Sequence, residues 1–160
     1  MRDELLYSER LSSNRTLLLF VALTIVFLLF ALWRVGAQGM DALAVFLLVF
    51  SGIFLFYSVN YRTLIIQLSA DTLKLKFGLF TWTVPLDNIA DCQLDALPKF
   101  LEYGGAGIHF FTFHNRYRAS FNFLEYPRVV VTFKQKRGQV RDLSFSTRKP
   151  EDVMGLIRER

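Results

Sequence analysis

Four cations crowd one predicted turn. Lys134, Lys136 and Arg137 lie within Lys134–Gly138 (KQKRG), and Arg141 follows just beyond it. Such a cluster can meet phosphate headgroups or an acidic protein partner. Two further cations, Arg116 and Arg118, are interleaved with rings in the stretch Phe110–Tyr126, which holds Phe110, Phe111, Phe113, Tyr117, Phe121, Phe123 and Tyr126. Phe110 and Phe111 are adjacent, so a strand must send them to opposite faces. An exposed aromatic patch there would mark an interaction surface. Arginine among aromatics also occurs in readers of single-stranded nucleic acid, but a membrane anchor argues against that partner here.

The residues for other chemistries do not assemble. His109 and His114 diverge if His114 sits in a turn, and no carboxylate pattern completes a metal set. Gly104-Gly105-Ala106-Gly107 lacks the following Lys-Ser or Lys-Thr, and the helix, of a phosphate loop. It reads as a bend before a strand. Cys92 is the lone cysteine, too few for an internal disulfide, and its strand-like surroundings predict a small core residue. Neither histidine has an evident carboxylate partner, so no nucleophile–base pair can be named. The expectation is a non-catalytic protein without a cofactor.

The elements that must hold these residues divide the chain in two. Thr16 to Trp33 (TLLLFVALTIVFLLFALW) and Ala42 to Val59 (ALAVFLLVFSGIFLFYSV) are runs of 18 uncharged residues. Each spans about 27 Å as a helix, close to the hydrocarbon thickness of a bilayer. Trp33 and Tyr57 stand at run ends, where amphipathic rings prefer the headgroup level. The short link Arg34–Asp41 forces an antiparallel pair. A cleaved signal peptide is disfavoured by the length of the first run. Buried soluble helices are disfavoured by the lack of a polar face. No ionisable residue lies inside either span, so transport by the hairpin alone is not expected. Arg2, Arg10 and Arg15 precede the first span, and Arg62, Lys74 and Lys76 follow the second, against Arg34 alone in the link. The positive-inside rule then places both termini in the cytoplasm and the link outside, in an inner or plasma membrane crossed twice.

From Tyr61 the apolar rhythm changes to period two. Strands are predicted at Thr63–Ser69, Thr72–Phe77, Phe80–Val84, Ile89–Leu94, Ile108–Phe113, Tyr117–Phe123, Val129–Phe133 and Val140–Ser146, with loop-like residues at 95–107. Pro150 opens a C-terminal helix over 150–160, with Val153, Leu156 and Ile157 as its apolar stripe. The predicted organisation is a cytoplasmic flank at 1–15, a two-helix hairpin at 16–59, and a mainly-β domain at 61–160. That domain is expected as about seven antiparallel strands in a curled sheet or open barrel. Residues 61–160 carry 15 Lys+Arg against 10 Asp+Glu, which is 15 − 10 = +5 and accounts for the whole net charge of +5.

The order of these elements resembles the bacterial pleckstrin-homology-like domains of small membrane proteins with paired helices. The matching features are Leu73–Phe80 (LKLKFGLF), Trp82–Ile89 (WTVPLDNI), Gly104–Ile108, and Ser144–Ile157 (SFSTRKPEDVMGLI). The resemblance implies a fold more than a function, because folds of this kind host many binding roles. This chain departs from the phosphoinositide-binding members of the wider family in its first hairpin loop, Ser69-Ala70-Asp71-Thr72, which has no basic residue. The functional expectation is a membrane-anchored binding module for a protein partner or anionic lipid. The rival is a structural subunit of a larger membrane complex. Partners are expected among membrane lipids and other membrane proteins.

Overall fold

A computed structural model describes residues 5–95, 107–113, 115–123 and 125–159. The loop expected at 95–107 and the turn residue His114 fall largely outside these. The element order is β1 (Leu5–Ser12), α1 (Asn14–Gln38), α2 (Ala42–Asn60), β2 (Thr63–Ser69), β3 (Thr72–Phe77), β4 (Phe80–Pro85), a 3-10 turn (Leu86–Asn88), β5 (Ile89–Leu94), β6 (Gly107–Phe113), β7 (Arg116–Asn122), β8 (Arg128–Arg137), β9 (Val140–Ser146) and α3 (Pro150–Arg158).

Both long helices are capped by their own sequence. Ser13 takes an extended backbone and its Oγ accepts from Thr16 N at 2.9 Å, starting α1. Asp41 does the same for α2, accepting from Ala44 N at 2.8 Å. Arg34 also donates to Asp41 Oδ2, at 2.7 and 2.9 Å, and closes the link between the helices. The guanidinium and the Ala44 amide hold the Asp41 carboxyl below its usual range. The helices meet through few groups. Ser51 Oγ donates to Thr24 O at 3.1 Å, and Phe27 packs between Phe50 and Phe54 at 5.7 and 5.3 Å. The outer faces, with Leu29, Phe30 and Trp33 on α1 and Phe46, Val49 and Phe56 on α2, are exposed. Each helix is long and apolar enough to cross a membrane.

Within the expected flank, Leu5–Ser12 forms a strand. Leu5–Ser12 pairs antiparallel with β2, from Ser12 opposite Thr63 to Leu5 opposite Ser69. The helical hairpin is therefore the connection between two neighbouring strands. Leu11 is fully buried. Glu9 accepts from Thr147 Oγ1 at 2.6 Å and Arg148 N at 3.0 Å, tying β1 to the segment before α3. Because β1 and β2 share a register, the chain before α1 and the domain after α2 lie at the same end of the hairpin.

Among the described residues, nine strands form two sheets, ordered β1-β2-β3-β4 and β5-β8-β9-β7-β6, and the sheets do not close into a barrel. The expectation of about seven strands, all antiparallel, is corrected on both counts. The N-terminal strand was missed, and β7 runs parallel to β9, with Arg118 opposite Asp142 and Phe121 opposite Phe145. The alternation in the sequence does set the faces. Leu64, Ile66, Leu68, Leu73, Leu75 and Phe77 point inward from the first sheet, while Lys74 and Lys76 point out. Val129, Val131, Phe133, Leu143, Phe145 and Phe121 meet them from the second. Phe77 bridges the layers, its ring 5.0 Å from Phe123 and 6.5 Å from Phe121. α3 lies on β5 and β8. It buries Val153, Met154 and Ile157, and Arg158 donates to Cys92 O at 2.7 Å.

Candidate functional site

Strand direction decides where the cations lie. The hairpin end of the domain is marked by direct contacts. Tyr61, which caps α2, packs on Tyr57 and on Phe77, each at 5.0 Å. Tyr126 Oη donates to Ser12 O at 2.8 Å, and Arg15 N donates to Glu125 at 3.1 Å. Asn60 Oδ1, at the end of α2, accepts from Leu79 N at 2.8 Å. Gly107 at the start of β6 lies against the Tyr61 ring. So β2, β4, β6 and β8 run away from the hairpin, and β1, β3, β7 and β9 run back to it.

The far end of β8 carries Lys134, Lys136 and Arg137, all exposed, and β9 begins there with Arg141, also exposed. Nine residue steps separate Arg137 from Arg128, roughly 30 Å of strand. This overhanging end is fixed by the other sheet. Asn88 Nδ2 donates to Gln135 O at 3.0 Å, Gln135 N donates back to Asn88 Oδ1 at 2.8 Å, and the Arg137 guanidinium donates to Thr83 O. Gly138, with φ of 63°, makes the turn into β9.

Two shallow grooves result. One, of about 470 Å³, is lined by Asn115, Arg116, Tyr117, Lys136, Gln139 and Arg141. The other, of about 350 Å³, has Lys134 and Arg137 beside Asp87 and Asn88. Among the described residues, Lys134, Lys136 and Arg141 have no ion-pair partner. Five of the six cations singled out by sequence thus converge on one end of the domain, opposite the helices.

Arg118 does not join them. It is 6% exposed and lies on the buried polar face of the second sheet. Its Nη1 is 3.0 Å from Asp95 Oδ1 and its Nη2 is 3.9 Å from Asp142 Oδ2. Arg116 pairs with Asp142 at 2.9 Å, and Arg128 stands 4.0 Å from Asp95. Ser144 Oγ and Thr132 Oγ1 complete the two carboxylates, each at 3.1 Å. Among the described residues, this network joins three arginines to two aspartates. It opens into a cleft of about 320 Å³ lined in part by Gln93, Phe113 and Val130. Sequence reasoning missed Asp95, Asp142 and Arg128. A signal existed, since Arg116, Arg118, Ser120 and Asn122 recur at period two on β7, and Asp142, Ser144 and Ser146 on β9.

The remaining candidates stay apart. Cys92 is buried, and desolvation pushes its thiol up to about 12, which disfavours the reactive thiolate at neutral pH. No group of three or more His, Cys, Asp or Glu converges among the described residues. Phe110 is half-exposed, 51%, beside Trp82 at 6.4 Å and Tyr117 at 6.2 Å, whereas Phe121 and Phe123 fill the core. In comparison with known proteins, no family model, no curated protein and no solved structure matches this chain.

Proposed function

We propose that this chain is a membrane-anchored binding module without catalytic machinery. In this reading α1 and α2 span the bilayer, and the β domain presents its basic tip to an acidic protein segment in the aqueous phase. The observation that carries the reading is the placement of Lys134, Lys136, Arg137 and Arg141 at the end opposite the hairpin. A separation of roughly 20–30 Å along the strands exceeds the Debye length, about 8 Å at physiological salt. Headgroups of the bilayer that holds the hairpin therefore exert little pull on the tip. A soluble or peripheral acidic partner does not meet that limit, and tethering raises its local concentration at the membrane without further contacts. The order of elements supports a pleckstrin-homology-like domain. The charge around the spans supports a cytoplasmic tip, since Arg10, Arg15, Arg62, Lys74 and Lys76 stand on the domain side and Arg34 on the other.

The test uses the full chain in nanodiscs of zwitterionic lipid and a fluorescent glutamate-rich peptide. Each exposed charge pair is worth about 0.2–1 kcal/mol, so replacing Lys134, Lys136, Arg137 and Arg141 together by alanine weakens binding at least about fourfold. Salt has the same effect, and replacing Arg62 and Lys76 by alanine does not. Equal loss from both sets would sink the tip as the docking site. A second reading, a subunit of a larger membrane complex, is favoured by the apolar groove of Val26, Leu29, Phe30 and Trp33 on α1. It requires a membrane partner that co-purifies at fixed stoichiometry in mild detergent.

A further inference from the structure

The turns of the domain differ in chemistry according to the end they occupy. At the distal end the β2–β3 turn is Ala70-Asp71 and the β8–β9 turn is Gly138-Gln139. At the hairpin end the β3–β4 turn is Gly78-Leu79, running into Phe80. Leu79 is 80% exposed, more than any other large apolar side chain among the described residues, and Phe80 is 47% exposed. An exposed leucine at a hairpin tip gains nothing from water.

The turn is clamped to the last residue of α2. Leu79 N donates to Asn60 Oδ1 at 2.8 Å. Gly78 has φ of 58°, and a Cβ there would stand 2.0 Å from Asn60 O, so only glycine permits this approach. Asn60 itself is 6% exposed. The Phe80 ring lies 6.4 Å from Tyr61, and Tyr61 stacks on Tyr57. Leu79 and Phe80 thus extend the apolar surface that α2 presents through Phe56, 45% exposed, and Val59, 73% exposed. Around this surface stand Arg62 and Lys76, both exposed. Apolar side chains ringed by cations and aromatics at the end of a span match the headgroup layer of a bilayer.

We propose that the β3–β4 turn is a third membrane-contacting element, which seats Leu79 and Phe80 in the interfacial layer beside α2 and fixes the tilt of the domain. The proposal rests on the hairpin spanning the bilayer, and the occupant is the lipid of that same bilayer.

The test places an environment-sensitive fluorophore on Leu79→Cys, and separately on Leu29→Cys in the middle of α1 and Gln135→Cys at the distal tip. The full chain is used in proteoliposomes of phosphatidylcholine and phosphatidylglycerol. Cys92 is buried and stays in place, with the unsubstituted chain as the labelling control. Leu79 and Gln135 are exposed, so neither label disturbs the core. The expected result is quenching of the Leu79 probe by headgroup-level spin-labelled lipid, with iodide quenching several-fold weaker than at Gln135. The Leu29 probe responds only to lipid labelled deep in the acyl chain. If iodide quenches Leu79 as strongly as Gln135 while Leu29 stays shielded, the hairpin spans and the turn does not insert. If iodide reaches Leu29 as well, the spanning reading fails and takes the proposal with it.

Discussion

Replacing Arg118 by alanine separates a structural arginine from a ligand-binding one. Its side chain is 8% exposed, and its partners Asp95 and Asp142 are 2% and 4% exposed. Truncation leaves Asp95 with Ser144 and a distant Arg128, and Asp142 with Arg116 and Thr132. Removing one partner of a buried ion pair costs about 3–5 kcal/mol. A domain of this size has about 5–15 kcal/mol in all. With about 4–8 °C of Tm per kcal/mol for a domain of roughly 100 residues, Tm falls by at least about 12 °C. A surface arginine used only for a ligand would change stability by no more than about 0.5 kcal/mol. The assay is a thermal melt of the full chain in nanodiscs, followed by far-UV circular dichroism. A melt of Arg118→Ala within about 3 °C of the parent, below the shift worked from the ion-pair cost, would refute this reasoning.

Deleting residues 1–12 removes β1 with Leu11 and Glu9 and bares the β2 edge, so the shortened chain is expected to aggregate on size exclusion; a monodisperse product would show that β1 is dispensable. Gly78→Ala forces a Cβ against Asn60 O at positive φ and costs more than about 1 kcal/mol, while Asn60→Ala strands the Leu79 amide for about 1–3 kcal/mol; melts of both variants check this. The Cys92 thiol is raised by burial from 9.0 to about 12. Its contribution to stability is complete below pH 9 and lost as pH climbs toward 12, because the unfolded thiol ionises first. Melts across that range should show the decline, Cys92→Ala should make it shallower without removing it, because Tyr7 and Tyr61 are also raised to about 12, and a thiol reagent near neutral pH should react only after denaturant is added. Lys136→Glu with Arg141→Glu should abolish acidic-peptide binding and leave Tm unchanged, since neither side chain is buried.

The hairpin was legible because two charge-free runs of this length admit few other structures, and the strands were legible from their period-two burial. β1 was not. Leu5–Ser12 alternates weakly, and its partner Thr63–Ser69 lies beyond the whole hairpin. No local pattern announces a pairing across that distance. The parallel contact between β7 and β9 was hidden for the same reason, since it is a property of the sheet order. For Arg118 the sequence gives the cation but not its partner Asp95, which is 23 residues away. Lys134, Lys136, Arg137 and Arg141 were recognised as a cluster around a turn, yet their position opposite the helices follows only from the directions of β8 and β9.

In the proposed arrangement the basic tip faces away from the bilayer that holds the hairpin. Energy transfer from a donor on Gln139→Cys to an acceptor carried by the lipid headgroups, in nanodiscs of anionic or zwitterionic lipid, tests it most directly. The expected result is far weaker transfer than from Arg62→Cys at the end of α2, in keeping with roughly 20–30 Å of intervening strand, with no dependence on lipid charge. Transfer from Gln139 equal to that from Arg62, or increased by anionic lipid, would contradict it and return the tip to the membrane surface.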